Sequence, residues 1–185
     1  MAKNKIWSWP IGNLGVILFG ILFFQIQLYS DFIEQIYFFI TGFYGWWVWL
    51  NIKDKAKNDP KDDLAITYDT NINRYRYLVA IATGTIVMGY VMSRINVWIP
   101  SIFSTPASFP YMDAFTTVMS FAATILMAYK KVESWYLWIL VDIIGIWLYV
   151  SKGVVFISIL YVCFLVLATK GLFNWRKLSV TSQAI

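Results

Sequence analysis

The chain has 185 residues, 59% of them hydrophobic, 19% aromatic and only 14% charged, with a mean hydropathy of +0.62. A soluble domain carries about 25% charged residues, so most of this surface belongs in lipid. With no histidine and Cys163 as the single cysteine, intrachain disulfides, Cys/His zinc sites and His-based catalysis are excluded, and a net charge of +5 gathered between apolar runs reads as membrane topology, not as a nucleic-acid-binding face.

Six apolar runs approach the length that crosses roughly 30 Å of hydrocarbon. They cover residues 9–28, 32–51, 77–98, 111–129, 134–150 and 154–171. The first follows Lys3 and Lys5, but Asn13 interrupts it early and no small-residue cleavage site follows, so it reads as a span and not a signal peptide. Residues 1–51 therefore hold two spans. Residues 52–76 form a cytoplasmic loop in which lysines and aspartates nearly cancel between Lys53 and Asp63 and Asn58-Asp59-Pro60 stops any helix, the pattern of a solvated linker. Residues 77–110 supply a linker span and an outer loop with Pro100, Pro106 and Pro110. Residues 111–177 hold three spans, the last two joined in a tight hairpin by Ser151-Lys152-Gly153, and residues 178–185 are a C-terminal tail. With both termini cytoplasmic, every lysine and arginine except Arg94 and Lys152 faces inward, as the positive-inside rule asks.

The chain also carries an internal repeat, which matters in transporters because related halves build one site between them. Trp9-Pro-Ile-Gly-Asn13 parallels Trp138-Ile-Leu-Val-Asp142, and each is followed by a short turn and a span with a Trp-rich end, Gly45-Trp46-Trp47 and Asn174-Trp175. The spans at 111–129, 134–150 and 154–171 make a triplet, of which 9–28 and 32–51 match the second and third members. The fold expected is an all-α polytopic helical bundle of two parallel three-helix repeats joined by a linker helix, with the first helix of the first repeat missing.

At 100° per residue, Trp135, Trp138, Asp142, Gly145 and Tyr149 share one helical face. Asp142 falls near the middle of its span, where an aspartate costs about 2.5–3.5 kcal/mol on insertion scales. It therefore needs either a hydrogen bond from a neighbouring helix or a solute. Tryptophan faces beside a carboxylate suit a flat cation through stacking and cation–π attraction, worth about 2 kcal/mol when desolvated. Asp113, Thr117, Ser120 and Thr124 form a weaker polar stripe that also suits plain helix packing. In the first half Trp9, Asn13, Gln35 and Trp46 are candidates, although Trp46, Trp47 and Trp49 also fit an interfacial aromatic belt.

The run Leu18-Phe-Gly-Ile-Leu-Phe-Phe-Gln-Ile-Gln-Leu-Tyr29, the later Tyr44-Gly45-Trp46 and the Trp135-x-x-Trp138-x-x-x-Asp142 motif resemble the PnuC family of vitamin transporters over nearly the whole chain. The resemblance implies a SWEET-like architecture, often a homotrimer, in a bacterial inner membrane. It also implies facilitated diffusion of nicotinamide riboside, trapped inside by a cytoplasmic nicotinamide riboside kinase and linked so to NAD biosynthesis. The family's substrate-binding signature maps onto Trp135, Trp138 and Asp142; the repeat and the helical faces add Trp9, Asn13, Gln35, Trp46 and Tyr149 as expected contacts. No cofactor, metal or catalytic residue is expected. Relatives in the wider family carry thiamine, riboflavin or nucleosides, and the substrate-binding subunit of an ATP-driven vitamin importer is an alternative with about as many helices.

Overall fold

The computed structural model describes residues 5–25, 29–58, 65–101 and 106–182. Its elements are α1 (Ser8–Gln25), α2 (Tyr29–Asn58), α3 (Asn71–Trp98), α4 (Pro110–Ala128), α5 (Glu133–Ser151) and α6 (Val155–Ser182). Each expected span has its helix, and the chain is an all-α, multi-pass membrane protein. Helices α3, α4, α5 and α6 are long and apolar enough to cross a bilayer, and α1 contains the shorter apolar helix Ser8–Phe23. Helix α2 runs beyond its apolar stretch into the charged segment that starts at Lys53. Gln27, Asp59-Pro60 with the loop through residue 64, the middle of the outer loop at 102–105 and the last residues of the tail lie outside the described residues.

The chain divides into two compact units. The first is Met1–Tyr68, Ala123–Tyr136 and Leu167–Ile185; the second is Asp69–Ala122 and Leu137–Val166.

In the first unit, α1 and α2 pack through small residues. The Trp9 indole lies against Gly45, the Asn13 carboxamide against Gly42, and the Gln35 side chain against Gly20, where a Cβ would meet it at 3.6 Å. Helix α4 ends in a Schellman motif: Lys131 N–H donates to Leu126 O at 2.9 Å and Lys130 N–H to Met127 O at 3.1 Å. Lys130 takes the left-handed conformation such a cap requires (φ 52°), a position usually given to glycine. Its ammonium sits 4.9 Å from the Trp49 ring centroid.

Near the end of the 52–76 loop, Ile66 and Thr67 are docked against the turn between α4 and α5. Thr67 N–H donates to Lys130 O at 3.2 Å, Val132 N–H donates to Thr67 O at 3.0 Å, and Lys131 Nζ donates to Thr67 Oγ1 at 3.0 Å. Ile66 beside it is buried. Charge and a Pro-Asp break made this loop read as free, but one apolar residue and one bridging backbone pair suffice to fasten its end.

The second unit is built on Ile81, Met119 and Val141, with Val118, Trp138 and Tyr161 packed against them. Helices α3 and α4 approach where Val118 meets Gly84 and Tyr111 meets Gly89. Thr70 caps α3, its Oγ1 accepting from the otherwise free Asn73 N–H at 3.4 Å, while Asp69 Oδ1 accepts from Thr70 N–H at 2.8 Å and from the Asn73 Nδ2 at 2.7 Å. The hairpin turn at Ser151-Lys152-Gly153 closes as expected. Gly153 is left-handed (φ 76°), its N–H donates to Val150 O at 3.0 Å, and Val154 N–H donates to Tyr149 O at 2.8 Å.

Candidate solute site

Tryptophan is too large to fit between two helices unless the facing helix gives way, and glycine does so at two matching places in the first unit. Trp9 lies on Gly45 and stands edge-on to Trp49, with ring centroids 5.6 Å apart at 84°. Trp135 lies on Gly171 and stands edge-on to Trp175, at 5.5 Å and 84°. Trp49 and Trp175 in turn pack on each other at 6.5 Å and 34°. In both cases the glycine follows its tryptophan by 36 positions and the second tryptophan follows the glycine by four. The four rings form one buried ladder.

This ladder revises the repeat. The spacing Trp-x-x-x-Asn/Asp aligned Trp9 with Trp138, but in its packing Trp9 is the equivalent of Trp135, three residues earlier. A shift of 126 residues then carries Gly45 to Gly171 and Trp49 to Trp175, and carries Asn13 to Ile139 rather than to Asp142. The physical reason is that the facing glycines determine which tryptophan can seat. Trp47 is 60% exposed, whereas the belt reading does not fit Trp49, which is buried and donates its indole N–H to Ala128 O at 3.0 Å.

Of the other expected residues of the first unit, Trp46 is half-buried and stacks obliquely on Phe43 at 6.1 Å, and Gln35 is half-buried opposite Gly20. Three polar groups stand out there. The indole N–H groups of Trp9 and Trp135 and the Asn13 Nδ2 are buried, and none has a hydrogen-bond partner among the described residues. Such donors ordinarily find an acceptor. At the loop of this unit the Tyr68 phenol is pushed above its usual value, first by burial and then by the neighbouring Tyr136, while Arg176 opposes the shift.

In the second unit Trp138 packs on the Ile81–Met119–Val141 core. Asp142 is 3% exposed, and no cation or hydrogen-bond donor among the described residues reaches it. Tyr149 is buried and packs on Tyr161 at 5.1 Å. Asp113, grouped by its spacing with Thr117, Ser120 and Thr124, leaves that stripe to pair with Lys152 at 2.7 Å. Sequence reasoning did not single out Trp175, Lys130 or Tyr161. The signal for Trp175 was the 36-residue Trp–Gly spacing; Tyr161 could have been found as the ring facing Gly145.

On α5 itself the helical geometry sets Trp135, Trp138 and Asp142 on one face. Aromatic surface and a carboxylate in one apolar stripe can stack a planar ring and balance one positive charge. They offer no nucleophile or acid–base pair for catalysis.

A family model described as nicotinamide mononucleotide transporter matches residues 1–177. Among curated proteins, the chain is 30% identical to the nicotinamide riboside transporter PnuC of Escherichia coli strain K12, over 94% of this chain and 77% of that protein. It is 28% identical to the riboflavin/roseoflavin transporter RibM of Streptomyces davaonensis, over 94% of this chain and 76% of that protein. Among solved structures, the crystal structure of the vitamin B3 transporter PnuC matches with a TM-score of 0.69 at 23% identity, covering 96% of this chain and 74% of the other.

Proposed function

Because this chain belongs to the nicotinamide mononucleotide transporter family, a family of transporters and not of enzymes, we propose that it carries nicotinamide riboside by facilitated diffusion. The Trp135–Trp138–Asp142 face of α5 makes the principal contacts. The observation that carries this reading is Asp142: a carboxylate 3% exposed within a membrane helix and met by no cation among the described residues. A solute with a flat, positively charged ring supplies both the missing charge and a surface for tryptophan to stack on. In the first unit, the unpartnered donors of Trp9, Asn13 and Trp135 are groups that the acceptor oxygens of a solute would satisfy. The distribution of lysine and arginine supports cytoplasmic termini. Phosphorylation by a cytoplasmic kinase then makes uptake one-way, and the working unit is a homotrimer.

The second reading is another vitamin of the same family. The RibM relative favours riboflavin, whose ring system is uncharged, whereas thiamine, like nicotinamide riboside, is a cation that would use Asp142. Tryptophan fluorescence titration of the purified protein with all three solutes separates them. Nicotinamide riboside is expected to bind, and Asp142→Asn to weaken it between about tenfold and a hundredfold, the size of a charge-assisted contact. Unchanged affinity in Asp142→Asn defeats the charge argument. Uptake into vesicles that stops when proton and sodium gradients are removed defeats passive transport.

A further inference from the structure

Gly145 lies one turn beyond Asp142 on the same face of α5, and the space that its missing side chain leaves is filled from α6. The Tyr161 ring lies so close that a Cβ at Gly145 would overlap its Cδ1 and Cε1. Tyr161 also packs, as Trp138 does, against the core that contains Val141, so it meets Gly145 beyond Asp142 and shares a core with the residue just before it. Its own position is braced. The ring packs on Tyr149 at 5.1 Å and 41°. Lys152 Nζ lies 5.5 Å from the Tyr149 ring centroid and forms an ion pair with Asp113 at 2.7 Å. Ser158 Oγ, one turn before Tyr161 on α6, donates to Ile146 O at 3.0 Å and fixes α6 against α5 at this level. All of these residues belong to the second unit.

We propose that Tyr161 is a specificity-determining positioning residue, the wall that limits the length of ring system the Asp142 site accepts on the side of the α5–α6 turn. The proposal deepens the reading of Asp142 as a solute contact and rests on it. A single pyridinium ring fits within one helical turn of rise, about 5.4 Å, and stops short of Tyr161. A three-ring isoalloxazine is longer and needs the volume that Tyr161 occupies. Aromatic packing on Tyr149 and the Lys152–Asp113 pair hold the ring there, so a longer solute cannot displace it without separating them.

The test measures, by tryptophan fluorescence titration, the ratio of dissociation constants for riboflavin and nicotinamide riboside in the wild-type protein and in Tyr161→Ala, Tyr161→Leu, Tyr161→Phe and Gly145→Ala. Tyr161→Ala and Tyr161→Leu are expected to shift the ratio toward riboflavin by tenfold or more. Tyr161→Phe, which keeps the ring, is expected to retain the wild-type ratio. Gly145→Ala forces the ring from its seat and is expected to change the ratio more than twofold. A purely structural role lowers thermal stability and both affinities together and leaves the ratio alone. Ratios within twofold of wild type in every variant that purifies as a monodisperse species overturn the proposal. If Asp142→Asn in parallel binds nicotinamide riboside as tightly as wild type, the underlying reading of the site falls, whatever Tyr161 does. If the wild-type protein binds neither solute, both fall together.

Discussion

Trp135 lies on Gly171 so closely that a Cβ there would sit 2.5 Å from its Cη2 and Cζ3. Non-bonded carbons settle at about 3.5–4.0 Å, so in Gly171→Ala the indole must retreat by about 1 Å or α5 and α6 must part. Retreat is blocked, because Trp135 already stands against the fully buried Trp175 at 5.5 Å. Overpacking of this kind costs about 1–3 kcal/mol. Replacing a helical glycine by alanine returns about 0.5–1 kcal/mol. The net loss is then up to about 2.5 kcal/mol, or up to roughly 10 °C of thermal midpoint at about 2–4 °C per kcal/mol for a chain of this size.

The control is Gly15, where an added Cβ meets nothing within 4 Å. Gly15→Ala should therefore raise the midpoint or leave it alone, gaining up to about 1 kcal/mol, whereas Gly45→Ala should behave like Gly171→Ala because Trp9 seats on Gly45 in the same way. The assay is thermal unfolding of the detergent-purified protein, followed by tryptophan fluorescence and by the loss of the monodisperse peak on gel filtration. The opposite signs are what matter. If Gly171→Ala and Gly15→Ala shift the midpoint in the same direction by the same amount, the tryptophan–glycine seats are not close contacts and the ladder argument is wrong.

Two further outcomes follow from the first unit. Thr67→Pro removes the N–H that donates to Lys130 O. It should cost about 1 kcal/mol and speed hydrogen exchange of the Val132 amide, whose acceptor is Thr67 O; unchanged exchange at Val132 means that the loop is not fastened there. Trp49→Phe leaves the buried Ala128 carbonyl without its 3.0 Å donor and should destabilise by about 1–3 kcal/mol, while Trp47→Phe at an exposed position should change the midpoint little. Equal effects of the two substitutions would return Trp49 to the interfacial belt.

The helices were legible because lipid leaves a run of about twenty apolar residues few other uses. The turn between α5 and α6 was legible because Gly153 supplies the left-handed residue that the cap needs. The end of α4 was less so, since Lys130 takes that conformation without being glycine, and its ammonium lies over Trp49, 81 positions earlier in the chain. Trp49 read as a membrane-surface residue for a related reason. An indole near a span end is compatible with either headgroups or a packed interior, and only the facing side chain decides. That facing residue is a glycine in each hairpin, so the information lay in the spacing between α1 and α2 and between α5 and α6, not in any local motif. The local motif Trp-x-x-x-Asn/Asp was in fact misleading about register. Once Gly45 and Gly171 set it, Asp142 corresponds to Val16 and Trp138 to Gly12. The carboxylate and the tryptophan one turn before it thus belong to α5 alone. A symmetric pair of carboxylates would leave one uncompensated charge in the membrane whenever a singly charged solute was bound, at about the insertion cost of an aspartate. A single Asp142 is therefore the arrangement that the proposed transport of one monocation at a time requires.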